Sequence, residues 1–187
     1  LEEDNNNVQA IILSPTRELA VQIGNNIKDF CKYLKNVKVT TVYGGSSMED
    51  QIRSLKRGSQ IVVGTPGRTV DLINRRALKL GNVRWLVLDE ADEMLNMGFK
   101  EELDKVLEAT PETKQTLLFS ATFPREVEAI AKNYMTTPVE VTSGEKNSGS
   151  ENVSHEFYAV TERTRYPALK RIADLNPDIY AIIFCRT

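Results

Sequence analysis

The sequence predicts an α/β domain built on a mainly parallel sheet with helices on both faces. Two observations carry this. Short apolar runs alternate with helical patterns along the chain, the repetition of a strand–helix–strand protein. Several of those runs are apolar throughout rather than on alternate positions, as strands covered on both faces require.

Taken in order, the strand candidates are VQAIIL (8–13), VKVTTVY (37–43), QIVVG (60–64), WLVL (85–88) and QTLLFS (115–120). Between the first two lies TRELAVQIGNNIKDFCKYL. Its apolar residues Leu19, Ala20, Ile23, Ile27, Phe30, Cys31 and Leu34 recur at helical spacing, with Thr16 as N-cap. PREVEAIAKNYM repeats the device, with Pro124 suited to a first helical turn and Val127, Ile130, Ala131 and Tyr134 on one stripe. LEEDNNN (1–7) reads as a polar tail. The stretch TSGEKNSGSEN (142–152) is polar and lacks apolar periodicity, so it reads as a linker. Beyond it the pattern predicts a strand in SHEFYAV, a helix in RYPALKRIADL and a strand in YAIIFC. The expected organisation is therefore a tail over 1–7, a first domain over 8–141, a linker over 142–152 and the start of a second domain over 153–187.

Composition narrows the function classes. The chain has 187 residues, 41% hydrophobic and 27% charged, in the range of ordinary globular proteins. A net charge of −2 provides no global basic field, so any nucleic-acid binding must use local patches. A single histidine, His155, argues against a histidine metal centre or a Ser-His-Asp triad. Cys31 and Cys185 are far apart with no metal spacing, which fits a reducing, cytoplasmic location. No apolar stretch is long enough to span a membrane.

In open α/β sheets, ligands gather at the carboxyl ends of strands, and five unusual clusters fall there. SPTREL follows the first strand, YGG the second, GTPGR the third, LDEAD the fourth and FSAT the fifth. A strand ending in an acid has the form of a Walker B element, whose Asp holds a nucleotide's Mg²⁺ and whose neighbouring Glu can polarise an attacking water. The same pattern also fits a surface turn whose acids favour a helix N-terminus. SPTREL and TPGR each combine a hydroxyl, a helix start and an arginine, which can hold phosphates. Ordinary turn and cap chemistry, with Arg17 and Arg68 in ion pairs, is the alternative.

Taken together, these stretches resemble the DEAD-box RNA helicases. PTREL (15–19) resembles that family's motif Ia, Gly44–Gly45 its glycine doublet and TPGR (65–68) motif Ib. DEAD (89–92) reproduces motif II, SAT (120–122) motif III, and IIFCRT (182–187) resembles motif IV at the start of a second RecA-like domain. The resemblance implies two RecA-like domains closing over ATP and RNA, with hydrolysis driving local unwinding. It implies that Asp89 positions Mg²⁺, mainly through water, that Glu90 activates the hydrolytic water, and that Asp92, Ser120 and Thr122 couple the nucleotide site to RNA. It implies an RNA track along Pro15, Thr16, Arg17, Gly45, Thr65, Pro66, Gly67 and Arg68, gripping the backbone with little sequence specificity. The family's phosphate-binding loop, GxxxxGK[ST], does not occur in the sequence, and GEKNSGS at 144–150 does not fit it. That loop and the adenine-reading Q motif are expected before residue 1, and motifs V and VI after residue 187, so the chain is expected to be inactive alone. The alternative is a non-enzymatic RNA-binding or scaffolding relative.

Overall fold

A computed structural model describes residues 1–143 and 153–185. The chain divides into two compact units, Leu1–Asn147 and Ser148–Thr187.

The first unit is built on five parallel strands: β1 (Ala10–Leu13), β2 (Val39–Val42), β3 (Ile61–Gly64), β4 (Trp85–Leu88) and β5 (Gln115–Leu118). They lie in the order β2-β3-β1-β4-β5. β1 is central, with Ile11 opposite Val62 on one side and Leu86 on the other. Helices fill every crossover: α1 (Arg17–Phe30), α2 (Met48–Lys56), α3 (Pro66–Asn74), α4 (Ala91–Asn96) and α5 (Lys100–Ala109), with α6 (Arg125–Tyr134) after β5. All five predicted strands are present, each within a few residues of its expected limits.

The two-residue period of the strands sorts the core into two layers. Ile11, Leu13, Val42, Val62, Leu86 and Leu88 face one side, where residues of α2 to α6 pack on them. Ile12, Ile61 and Val63 face the other, covered by Ala20, Ile23 and Ile27 of α1. Gly24 sits where α1 crosses β2, and a Cβ there would come within 2.3 Å of the Thr41 hydroxyl. The absent side chain is what lets the helix lie that close.

Both faces carry helices, but unequally, and the structure departs from the sequence pattern in three places. β5 is an edge strand whose residues alternate between exposed and half-buried, with Leu117 and Phe119 open to solvent. The α1 stripe is narrower than expected: Phe30 is 81% exposed and Leu34, beyond the helix end, 45%, while Ile27 and Cys31 still pack on the core. Pro124 is the N-cap of α6 rather than within its first turn, while Val127 and Ile130 are buried as expected.

Residues 1–7 are held to the sheet. Gln9, buried at the start of β1, donates to the carbonyls of Glu2 and Asn5 and accepts from the Glu2 amide, and Glu2 is ion-paired with Arg84.

In the second unit α7 (Glu162–Leu175) begins with a capping box between Thr161 and Thr164. The expected strands over 154–160 and 180–185 do not form among the described residues: neither stretch has a ladder partner. No described residue of this unit is buried, as expected of a piece too small to enclose a core. The predicted linker lies outside the described residues from 144 to 152, as do Arg186 and Thr187 of the sixth motif.

Candidate functional site

Every cluster singled out at a strand end lies at the carboxyl edge of the sheet, and the strand order sorts them into two groups. The loops after β2, β3 and β1 are neighbours on one half of the edge. Those after β4 and β5 are neighbours on the other.

On the first half, Thr16 caps α1, its hydroxyl accepting from the Leu19 amide at 3.3 Å, with Pro15 buried before it. Arg17, the first helical residue, reaches across to the loop after β2 and stacks over the Tyr43 ring, 4.9 Å from its centroid. Gly45 adopts φ +78°, in the left-handed region that favours glycine, and its missing Cβ would lie 3.8 Å from the Arg17 guanidinium. The loop after β3 joins the same group. Thr65 occupies the N-cap of α3 without a side-chain capping bond, and Pro66 opens the helix. Arg68 donates to the Ser46 carbonyl at 3.1 Å, and Gly67 is half-buried beside it. Three loops are thus interlocked through two arginines. Among the described residues neither arginine sits in an ion pair. The sequence pattern marked Tyr43 only as part of the YGG cluster, without a role, and passed over Ser46.

On the second half, Asp89 continues β4, its amide donating to the Leu13 carbonyl at 2.9 Å. Its carboxylate accepts from the Glu90 amide at 3.1 Å. Glu90 is the N-cap of α4 in a left-handed conformation, φ 52° and ψ 53°, which costs a non-glycine residue about 1–2 kcal/mol. Such strain persists where surrounding structure imposes it. Here it is imposed from both sides, by the β4 ladder before Glu90 and by the bond from the Ala91 amide to the Phe119 carbonyl, 3.1 Å, after it.

Asp92 ties the two loops together. Its carboxylate accepts from the Thr122 amide at 2.9 Å and the Thr122 hydroxyl at 2.6 Å. Its own amide donates to the Ser120 hydroxyl at 3.2 Å, and that hydroxyl donates to the Thr122 carbonyl at 2.6 Å. Burial pushes the Asp92 carboxyl up, but the hydroxyls of Thr122 and Ser120 and the amides of Thr122 and Glu93 outweigh it and hold the group below its ordinary value. Asp92 is therefore a buried carboxylate committed to structure on one side of its own helix, while Asp89 is half-buried and Glu90 exposed.

No group of three or more metal-ligating side chains exists among the described residues. The acids nevertheless fit Mg²⁺, which keeps several waters and binds through one or two carboxylates plus substrate phosphates. Asp89 is placed for that, and one of its oxygens is already oriented by the Glu90 amide. An open cleft of about 680 Å³ flanks the same loops, lined by Phe119 and by Ser120, Thr122 and Val141 among others.

Comparison with known proteins shows the family. The sequence profile described as DEAD/DEAH box helicase matches residues 1–130. The chain is 46% identical over 187 residues to the ATP-dependent RNA helicase CshA of Listeria monocytogenes, covering all of this chain and 36% of that protein. It is 46% identical over 181 residues to the RNA helicase CrhR of Synechocystis, covering 96% of this chain and 37% of that protein. Among solved structures, a DEAD box protein from the hyperthermophile Methanococcus jannaschii superposes with a TM-score of 0.70 at 45% identity, covering this whole chain and 49% of that one. The sheet is thus the RecA-like arrangement of those proteins, and the chain spans about a third of the length of the curated relatives it matches.

Proposed function

Because the chain belongs to the DEAD/DEAH box helicase family, we propose that it forms part of an ATP-dependent RNA helicase, in which RNA-stimulated ATP hydrolysis drives local unwinding or remodelling of RNA duplexes. The observation that carries this reading is the sorting of one sheet edge into an acidic half, Asp89 to Asp92 with Ser120 and Thr122, and an arginine–glycine half, Arg17 to Arg68. Relatives of similar sequence bear the names of ATP-dependent RNA helicases.

In this reading Asp89 holds Mg²⁺ through water, and the ion supplies charge neutralisation on the phosphates. Glu90 takes the proton of the attacking water, its carboxylate directed from a strained turn that neither neighbouring strand lets relax. Asp92 does not touch the reacting atoms. It positions the loop after β5 relative to α4, so that a shift in either moves the other. Thr65, whose hydroxyl does not cap its own helix, and the amides and guanidinium groups of the β1 and β3 loops hold RNA phosphates. Pro15, Thr16, Gly45, Pro66 and Gly67 shape the backbone on which they stand. Contacts of this kind grip phosphate and sugar, so binding is largely indifferent to sequence. The two free thiols suit the reducing cytoplasm, and residues 153–187 form the start of the second RecA-like domain.

The test uses the longer protein with Glu90→Gln. Nucleotide affinity is expected to persist while single-turnover hydrolysis falls by roughly a hundredfold or more. Unchanged hydrolysis would remove Glu90 as the base. Absence of RNA-stimulated hydrolysis in the unaltered protein, with RNA binding retained, would favour a non-enzymatic RNA-binding relative.

A further inference from the structure

α2 turns Met48, Ile52 and Leu55 onto the core. At helical spacing Gln51 falls on the same side, and it is 6% exposed. A carboxamide buried there is unfavourable compared with an apolar side chain unless its hydrogen bonds are made. Those of Gln51 go to a single loop. Its Nε2 donates to the Tyr43 carbonyl at 3.0 Å and to the Ser46 hydroxyl at 2.8 Å, the two ends of the turn Tyr43-Gly44-Gly45-Ser46 by which the chain leaves β2. Its Oε1 is buried with no partner among the described residues, a cost to the fold that an apolar residue would avoid.

The turn it closes is intrinsically loose. Gly44 and Gly45 are both exposed, and glycine loses more backbone freedom on ordering than any other residue. Both arginines of the carboxyl edge nevertheless lean on this turn. Arg17 lies over the Tyr43 ring, 4.9 Å from its centroid. Arg68 donates one N–H to the Ser46 carbonyl at 3.1 Å and keeps its others for an anion. Tyr43 and Ser46 are thus each held by Gln51 on one side and each hold an arginine on the other.

We propose that Gln51 is a positioning residue for RNA: its carboxamide clasps the turn after β2 and, through Tyr43 and Ser46, fixes the guanidinium groups of Arg17 and Arg68 where phosphates meet them. This rests on the RNA track of the proposed function. Gln51 is buried and touches no RNA itself. It acts by ordering the two arginines before RNA arrives, so that less side-chain freedom is lost on binding.

The experiment measures binding of the longer protein to a short oligouridylate at one salt concentration and in one nucleotide state. Gln51→Met keeps the length of the side chain and extends the apolar face of α2. It is expected to weaken binding by roughly fivefold or more, since two arginine side chains must then be ordered by the RNA. Urea unfolding of this chain, followed by Trp85 fluorescence, should not shift to lower urea. In an Arg17→Ala/Arg68→Ala background the same substitution should change affinity by less than about twofold, because nothing remains to be positioned. Ser46→Ala removes one of the two clasp bonds from a loop outside the core and should act in the same direction. If Gln51→Met does lower the urea midpoint, Ser46→Ala with and without the arginines decides the question in its place. Unchanged affinity in both Gln51→Met and Ser46→Ala, with a loss in the arginine pair, overturns the clasp and leaves the RNA track standing. A loss from Gln51→Met that is as large without the arginines as with them places its effect in the fold at large and also overturns the clasp. If the arginine pair binds as tightly as the unaltered protein, the RNA track itself falls, and the role of Gln51 with it.

Discussion

Replacing Thr122 with valine removes the hydroxyl that donates to Asp92 at 2.6 Å but keeps the amide that donates to the same oxygen at 2.9 Å. A hydrogen bond to a charged group contributes about 1.5–3 kcal/mol. Asp92 is only 9% exposed, but Thr122 is exposed, so water can replace part of what is lost. The expected cost is therefore at the lower end, about 1.5 kcal/mol. Asp92→Ala removes the acceptor for both bonds and should cost about 2–3 kcal/mol. If the two side chains act through each other, Thr122→Val in the Asp92→Ala background should cost almost nothing, giving a coupling of about 1.5 kcal/mol. Urea unfolding followed by fluorescence is the assay. The chain has one tryptophan, Trp85 at the start of β4, so the signal reports the first unit alone. A cost for Thr122→Val that is the same with and without Asp92 would refute the clamp as a coupled device, and with it the idea that the β5 loop and α4 move together.

Three further outcomes follow from the same contacts. Because the folded-state Asp92 carboxyl lies below its ordinary value, its stabilising contribution is present above the unfolded aspartate pKa of about 3.9 and lost as pH falls through the folded value. The stability gap between the unaltered chain and Asp92→Ala should thus be level from pH 7 to 5 and close below about pH 4, as read by urea titrations at each pH. Gly64→Ala would place a Cβ 2.6 Å from a Val42 methyl, 2.7 Å from the Thr69 hydroxyl and 2.9 Å from the Val42 carbonyl. The carbonyl is backbone and cannot swing away, so thermal melting should show a loss of about 1–3 kcal/mol or more. The Ser14 hydroxyl is buried without a partner among the described residues, so Ser14→Ala should be neutral or stabilise by up to about 1 kcal/mol in the same melts.

Much of the first unit was legible in the sequence because its signals are local. An apolar run such as WLVL, or the 3.6-residue stripe of Val127 and Ile130, reports one buried surface of one segment, and the structure places β4 over that run and buries those two residues. Thr16 as N-cap is equally local, since the hydroxyl meets an amide three residues on. The rule that ligands collect at carboxyl strand ends then pointed to five loops. What pattern alone could not supply was which loops are neighbours. The order β2-β3-β1-β4-β5 sets Arg17 against Tyr43 and Arg68 against Ser46, and brings Asp92 to Thr122 across thirty residues. The left-handed turn at Glu90 arises only because the β4 ladder and the Phe119 carbonyl hold it from either side. Failures have the same origin. Phe30 and Leu34 keep to the apolar spacing of α1 but are exposed although Cys31 between them packs on the core, and among the described residues 154–160 and 180–185 have strand composition without a ladder partner. Periodicity records what a segment could bury or pair. Whether a surface or a strand is there to receive it depends on the path of the rest of the chain, and only the tertiary structure decides that.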